Sequence, residues 1–478
     1  MKSIIPVDHG AQRFARSALS FLAAFLLFTL VEARPTCGQD RGSAPSSVRS
    51  GNWPTYRHDN RRSGVSENRL RFPLQERWTY VSPQRPQMAW TGPAKWDAYS
   101  GNSGLQSMRN FDPCFFVTAD QDHVYFGSSA DDSAHALDIE SGASKWTYVT
   151  GAAVRFPPAI ANGRAYFGSD DGYAYCCDTA NGDLLWRCSP SQQSKRIASN
   201  RKLISLWPVR SGVLVDETHA IFAGSLVPWE ESFLLSVNLD SGEPEGRRCF
   251  RRQISGVTLQ GALLASEERL YVPQGRAAPL TFDRGSGEPR GKVGEAGGVF
   301  CILSEDEMLF AGPPHQKEKD DQIRVADLAT KSSVASFSGT DRILVDREMA
   351  WLAVGGKLKS LNRSEFVKAQ RMRQRSEKDM KDGRVAPKIA KAVMARNDKR
   401  MRDAWGWEVD SPVPLDLIKA GDAVVVGLDE AIVAYDADSG RELWRTRVDG
   451  AVHGLAVANG MLFASTDLGH IHAFAKSR

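Results

Sequence analysis

Three short runs in the sequence place a basic side chain directly after a valine: Val154-Arg155, Val209-Arg210 and Val452-His453. Two guanidiniums and an imidazole around one opening would hold a carboxylate or a phosphate, with arginine offering bidentate geometry. Trp207, three residues before Arg210, would supply an aromatic wall, so Arg155, Arg210, His453 and Trp207 form the candidate ligand set. The competing outcome is that each arginine pairs with an acidic turn of the chain itself, Asp131, Asp132, Asp170, Asp171 and Asp467 being close in the pattern.

A second group is electrostatic. Between residues 366 and 403 stand 13 Lys or Arg and 5 Asp or Glu, a net charge of +8, whereas the whole chain carries +4. The rest of the chain is therefore net acidic, and Arg371, Arg373, Arg375, Lys388 and Lys391 are candidate contacts for an acidic partner. A merely solvated helical face is the other reading of the same run. No aromatic platform accompanies these charges, so nucleic acid is not the expected partner.

Other constellations carry less. Asp131-Asp132 and Asp170-Asp171-Gly172 could offer oxygens to a cation, but Asp-Gly is equally the signature of a tight hairpin. Cys176 and Cys177 are adjacent on an alternating strand, where neighbours face opposite ways, so they read as small core residues. No metal site and no cofactor is assigned. No disulfide is assigned either, since six body cysteines allow 15 pairings.

These residues are positioned by a repeat. Its clearest copies are HVYFGSSADDSAHALDIESGASKW (123–146), RAYFGSDDGYAYCCDTANGDLLW (164–186) and AVVVGLDEAIVAYDADSGRELW (423–444). Each reads as an alternating strand, a turn, a second strand, a Ser/Asn-Gly turn and a tryptophan. Weaker copies begin at Ala220, Leu270, Met308, Ala350 and Leu462. Units of about 40 residues with four strands each are the signature of propeller blades. Eight copies predict an all-β, eight-bladed β-propeller over 76–478. The last copy stops before its fourth strand, and Glu76-Arg77-Trp78-Thr79-Tyr80-Val81 supplies the missing one, closing the ring.

The spacing of 74 residues between the sixth and seventh copies marks an insertion at 364–403. Asn362-Arg363-Ser364-Glu365 looks like a helix cap, Gly383 like a break and Pro387 like the first turn of a second helix. Ile389, Ala390, Val393, Met394 and Met401 would form its apolar stripe, giving a helical hairpin in blade six. At the N-terminus, Lys2, Arg13 and Arg16 precede a short apolar run, Ala18–Val31, which reads as an export signal within 1–38. An irregular segment, 39–75, follows. Long connections at 82–112, with Trp90, Trp96 and Tyr99, and at 187–213 share the face on which the candidate ligand set lies.

The run Ala-x-Asp-x-x-Ser/Thr-Gly-x-x-x-Trp stands here as Ala136, Asp138, Ser141, Gly142 and Trp146, and again as Ala434, Asp436, Ser439, Gly440 and Trp444. It resembles the tryptophan-docking motif of the pyrroloquinoline-quinone-like propellers. These include quinoprotein alcohol dehydrogenases and non-catalytic relatives such as the outer-membrane assembly lipoprotein propeller. The opening Asn52-Trp53-Pro54-Thr55-Tyr56-Arg57-His58-Asp59 is similar to that of exported bacterial members. The resemblance implies a periplasmic or envelope-associated monomer that binds an envelope protein or an anionic polymer. Its alternative is a quinoprotein-type dehydrogenase using the quinone and calcium. The glutamate, asparagine and aspartate set that such enzymes need has no matching motif here.

Overall fold

A computed structural model describes residues 52–89, 112–199, 201–274, 277–294, 296–312, 322–340 and 342–476. The export signal, Cys37, and Trp90, Trp96 and Tyr99 lie outside the described residues. Within the unit from Ser47 to Arg478 the described residues are all-β apart from two helices.

Its strands form six four-stranded antiparallel sheets, a two-stranded hairpin (Arg196–Ser199 with Lys202–Ser205) and one seven-stranded sheet. In sequence order the four-stranded sheets span 117–149, 159–188, 214–254, 264–292, 297–338 and 343–410. They are called here the first to sixth. This succession of four-stranded sheets is the arrangement of a β-propeller. The strand Leu74–Val81 pairs antiparallel with His470–Lys476, Trp78 lying opposite Ala473. The two ends of the described chain thus share one sheet, and no long edge is left open there.

The motif residues explain how sheet packs on sheet. Asp138 accepts from the Ser141 amide (3.0 Å) and hydroxyl (2.8 Å), fixing the turn before the outer strand. Gly142 follows at φ +69°, and a Cβ there would lie 2.6 Å from the Trp78 ring. The glycine is required because the neighbouring indole rests on it. The indole N–H of Trp78 then donates to the Ile139 carbonyl (2.9 Å). Trp146 on Gly182, Trp186 on Gly242 and Trp407 on Gly440 repeat the arrangement.

Helix α1 (Arg363–Lys381) and helix α2 (Pro387–Asp403) lie between the third and fourth strands of the sixth sheet. Asn362 caps α1 by accepting from the Glu365 amide, and Pro387 opens α2. Ala390 and Asn397 are buried on α2, and Val393, Met394 and Met401 are half-buried. Ile389, expected in the apolar stripe, is instead 60% exposed. It sits in the first turn of α2 and lies off the arc that packs.

The opening segment is not loose. Trp53 bridges to Ala119 in the first sheet, and the Pro54 carbonyl accepts from the Ile160 amide in the second. Asn60 bonds Val215 in the third and Ala265 in the fourth, and Arg61 bonds Leu303 in the fifth. Val65–Ser66 then runs parallel to Lys419–Ala420 of the seven-stranded sheet. Asp59 organises the bend, accepting from the Arg61 and Ser63 amides and the Ser63 hydroxyl. Residues 53–66 therefore stitch the innermost strands of successive sheets to one another.

Candidate functional site

The Val-Arg and Val-His pairs are set in place by glycines in the strands His123–Ser128, Arg164–Gly168 and Ala423–Asp436. A Cβ on Gly127 would strike Val154, one on Gly168 would strike Val209, and one on Gly427 would strike Val452, all under 3.0 Å. Each valine is thus clamped against its glycine, which fixes the backbone from which Arg155, Arg210 or His453 departs.

Two of the four candidate ligand residues meet. Arg155 Nε donates to Asp170 (2.7 Å), and Arg210 donates to the same carboxylate through Nε (2.7 Å) and Nη2 (2.8 Å). Arg155 also pairs with Asp112 and donates to the Gln87 carbonyl (2.8 Å). Asp112 in turn accepts from the Ala89 amide (3.0 Å). All four charged residues are buried, Asp170 completely. Burial alone would raise the Asp170 pKa, but the charges of Arg155 and Arg210 outweigh it and hold the carboxyl at about 2. For Asp112 burial prevails over Arg155, and its pKa is raised. The four residues form a closed network that ties Gln87, Ala89 and Asp112 to the turn at Asp170 in the second sheet and to Arg210.

The other two candidates lie apart. The Trp207 indole donates to the Glu231 carbonyl (2.7 Å) and packs edge-on against Phe233. His453 shares no hydrogen bond with either arginine among the described contacts. Burial lowers its pKa against the pull of Asp467, with Arg342, Asp416 and Asp429 as its other charged neighbours.

A second buried pair lies on the opening segment. Arg57 Nη1 donates to Asp416 (2.7 Å), whose other oxygen accepts from the Leu455 amide (2.9 Å). Tyr56 packs edge-on against Phe116 and Phe156, and burial pushes its phenol up to about 12. Arg62 donates to the Leu263 carbonyl (2.8 Å) and the Thr55 hydroxyl (2.8 Å). Burial pulls its pKa down to about 10. None of Arg57, Arg62, Asp112 or Asp416 was singled out in the sequence. Their partners lie far off in the chain, and only the repeat register could have paired them.

The donor set does not fit calcium. Both Asp170 oxygens accept from guanidiniums, Asp112 is taken by Arg155 and the Ala89 amide, and no group of three His, Cys, Asp or Glu gathers among the described residues. Cys176 and Cys177 are buried free thiols inside their strand, pushed up to about 12 by burial. No reaction step follows from such a centre.

The hairpin divides its candidates. Arg371 pairs with Asp327 of the fifth sheet, tying α1 down, and Arg373 joins the helices through Asp398 (2.7 Å). Arg375 is 85% exposed and reaches Asp379 only at 3.9 Å. Lys388 and Lys391 are exposed and have no carboxylate partner among the described residues. At 100° per residue they share the outward face of α2 with Lys399 and Arg402, and Arg396 lies at its margin. Asp403 reaches only Lys399 of these (3.4 Å). No helix among the described residues is long and apolar enough to cross a membrane.

A family model described as outer membrane protein assembly factor BamB matches residues 89–243 and 383–477, more than half of the chain. No curated protein sequence matches. Among solved structures, BamB from Moraxella catarrhalis is 14% identical with a TM-score of 0.51, covering 84% of this chain and 100% of that one. Quinohemoprotein alcohol dehydrogenase from Comamonas testosteroni is 12% identical with a TM-score of 0.58, covering 90% and 82%. A europium-containing methanol dehydrogenase is 10% identical with a TM-score of 0.55, covering 90% and 99%. At such identities the likeness is one of fold, shared by binding proteins and enzymes alike. By the matching model and the repeated indole-on-glycine packing, the chain belongs to the BamB-like family of pyrroloquinoline-quinone-type repeat propellers.

Proposed function

We propose that this chain is an exported, non-catalytic binding propeller that engages an acidic protein segment or anionic polymer of the cell envelope through the outward face of α2. The observation that carries this reading is the contrast within the hairpin. Arg371, Arg373 and Arg400 are in ion pairs that hold the helices in place, whereas Lys388, Lys391, Arg396 and Arg402 stand exposed without a carboxylate partner among the described residues. Cations left over after the structural pairs are made are available to a partner.

The scaffold in this reading has eight blades, with the hairpin inserted in the sixth. The long strand Glu442–Ala458 serves two of them. Its part up to Ala451 pairs with Ala423–Asp436, and its part from Val452 pairs with Met461–Thr466. Arg155 and Arg210 then act as positioning residues for the loops at the ring mouth, because Asp170 and Asp112 occupy their guanidiniums. Export rests on the Ala18–Val31 run.

The test is binding of the purified chain to poly-L-glutamate. The wild type binds, and Lys388→Glu/Lys391→Glu, which disturbs no described contact, keeps its melting temperature and loses most of its affinity. Equal affinity in the variant removes the hairpin from the interaction. Quinone- and calcium-dependent dye reduction with an alcohol would overturn the non-catalytic reading.

A further inference from the structure

The junction between the fourth and fifth sheets departs from the others. By strand register, the docking tryptophan stands opposite the residue two before the turn's Asp: Trp146 faces Ala136, and Trp186 faces Cys176. At the third sheet Phe250 takes the place, facing Ser236, and its ring rests on Gly287. At the fifth sheet Ala335 takes it, and Phe366 of α1 packs beside it with Phe337 and Trp405. In the fourth sheet the position is Gly291, facing Thr281. No ring fills the space among the described residues.

The receiving turn has changed with it. Where Gly142, Gly182, Gly242, Gly287 and Gly440 adopt φ between +69° and +78°, the fifth sheet has Lys331 at φ +55°. A side chain at this point would collide with a docked indole, as the 2.6 Å approach at Gly142 shows. With the indole gone the collision is gone, and lysine is sterically admitted. Its left-handed backbone remains unfavourable for a residue with a Cβ, and such strain gathers at functional positions.

What is left is a cavity of about 330 Å³ with Val293 and Leu328 on its floor. Arg269, Arg290, Lys292 and Lys331 line it, against Glu268 and Asp283. Asp283 is spent on its own turn, accepting from Ser286, and on Arg290 (2.9 Å). Arg269 reaches the Leu328 carbonyl only weakly, at 3.5 Å, in the role that an indole N–H plays at the other junctions. Lys292 and Lys331 have no carboxylate partner among the described residues.

We propose that this junction is an oxyanion site: it takes a carboxylate or phosphate carried on a short apolar stem, with Lys292, Lys331 and Arg269 on the anion and Val293 and Leu328 under the stem. The site is independent of the α2 surface. It would stand if that surface bound nothing.

Isothermal titration of the full chain with butanoate, butyl phosphate and inorganic phosphate tests it. The stemmed anions bind, and butanoate against butyl phosphate tells which head group is preferred. Lys292→Ala/Lys331→Ala weakens binding by about fivefold or more, as two exposed charges facing one anion are removed. Gly291→Trp/Lys331→Gly fills the cavity with an indole and no longer binds, at a cost in melting temperature because Gly291 stands at φ +105°. Should that variant fail to fold, the lysine variant decides alone. Wild-type protein that binds none of the three overturns the proposal. So does an unchanged affinity in the lysine variant, or inorganic phosphate binding as tightly as butyl phosphate.

Discussion

Replacing Asp170 by asparagine is the sharpest test of the buried network of Arg155, Arg210, Asp112 and Asp170. The carboxylate is fully buried and accepts from Arg155 Nε and from Arg210 Nε and Nη2, all within 2.7–2.8 Å. Asparagine has the same shape but turns an N–H group toward one of the guanidiniums. Arg210, 1% exposed, then loses the carboxylate that accepts two of its N–H groups, while Arg155 keeps Asp112. Breaking a buried ion pair from one side typically costs about 3–5 kcal/mol, and this carboxylate serves two cations, so the upper half of that range is expected. The assay is urea unfolding followed by tryptophan fluorescence. Asp112→Asn/Asp170→Leu/Arg155→Met/Arg210→Met, which removes all four charges of the network together, recovers much of the loss. A loss below about 1 kcal/mol for Asp170→Asn would be the size of an exposed pair and would refute the reasoning.

The same network has a pH signature. The folded pKa of Asp170, about 2, lies below the ordinary 3.8, so its contribution is complete above the ordinary value and is lost as pH falls through about 2. Asp112, raised by burial, acts in the opposite sense and takes up its proton earlier on acidification, so Asp170→Asn flattens the acid limb of a stability–pH profile. Gly142→Ala costs about 2–4 kcal/mol by urea unfolding, combining left-handed strain with collision against Trp78. Gly256→Ala, at φ +73° with nothing within 4 Å, costs only about 1 kcal/mol and isolates the strain. Arg62→Met strands the Leu263 carbonyl and the Thr55 hydroxyl, costs about 2–4 kcal/mol, and speeds proteolysis within 53–66.

The repeat was legible because its residues act locally. Asp138 bonds its own turn, Gly142 needs its φ, and the outer strand Ser144–Val149 shows its period within six residues. The helices were legible for the same reason, through the Asn362 cap and Pro387. Arg155 and Arg210 were found by matching repeats, but their common partner depended on how sheets approach one another. The role of 53–66 was hidden because an irregular segment has no period. Its anchors are backbone groups in five sheets and a parallel strand, and no residue type announces those. The junction at Gly291 and Lys331 shows the converse. Degraded copies of the motif read as noise in the sequence, yet in the fold a lost tryptophan and a lost glycine meet in one cavity.

The salt dependence of poly-L-glutamate binding tests the central claim most directly. Each cation that engages the polymer releases counterions, so the logarithm of the binding constant falls with the logarithm of salt concentration in proportion to the contacts made. Lys388→Ala/Lys391→Ala/Arg402→Ala is predicted to make that slope shallower by about 2–3, with the melting temperature unchanged. A wild-type slope that survives in the triple variant would place the contact elsewhere and contradict the account.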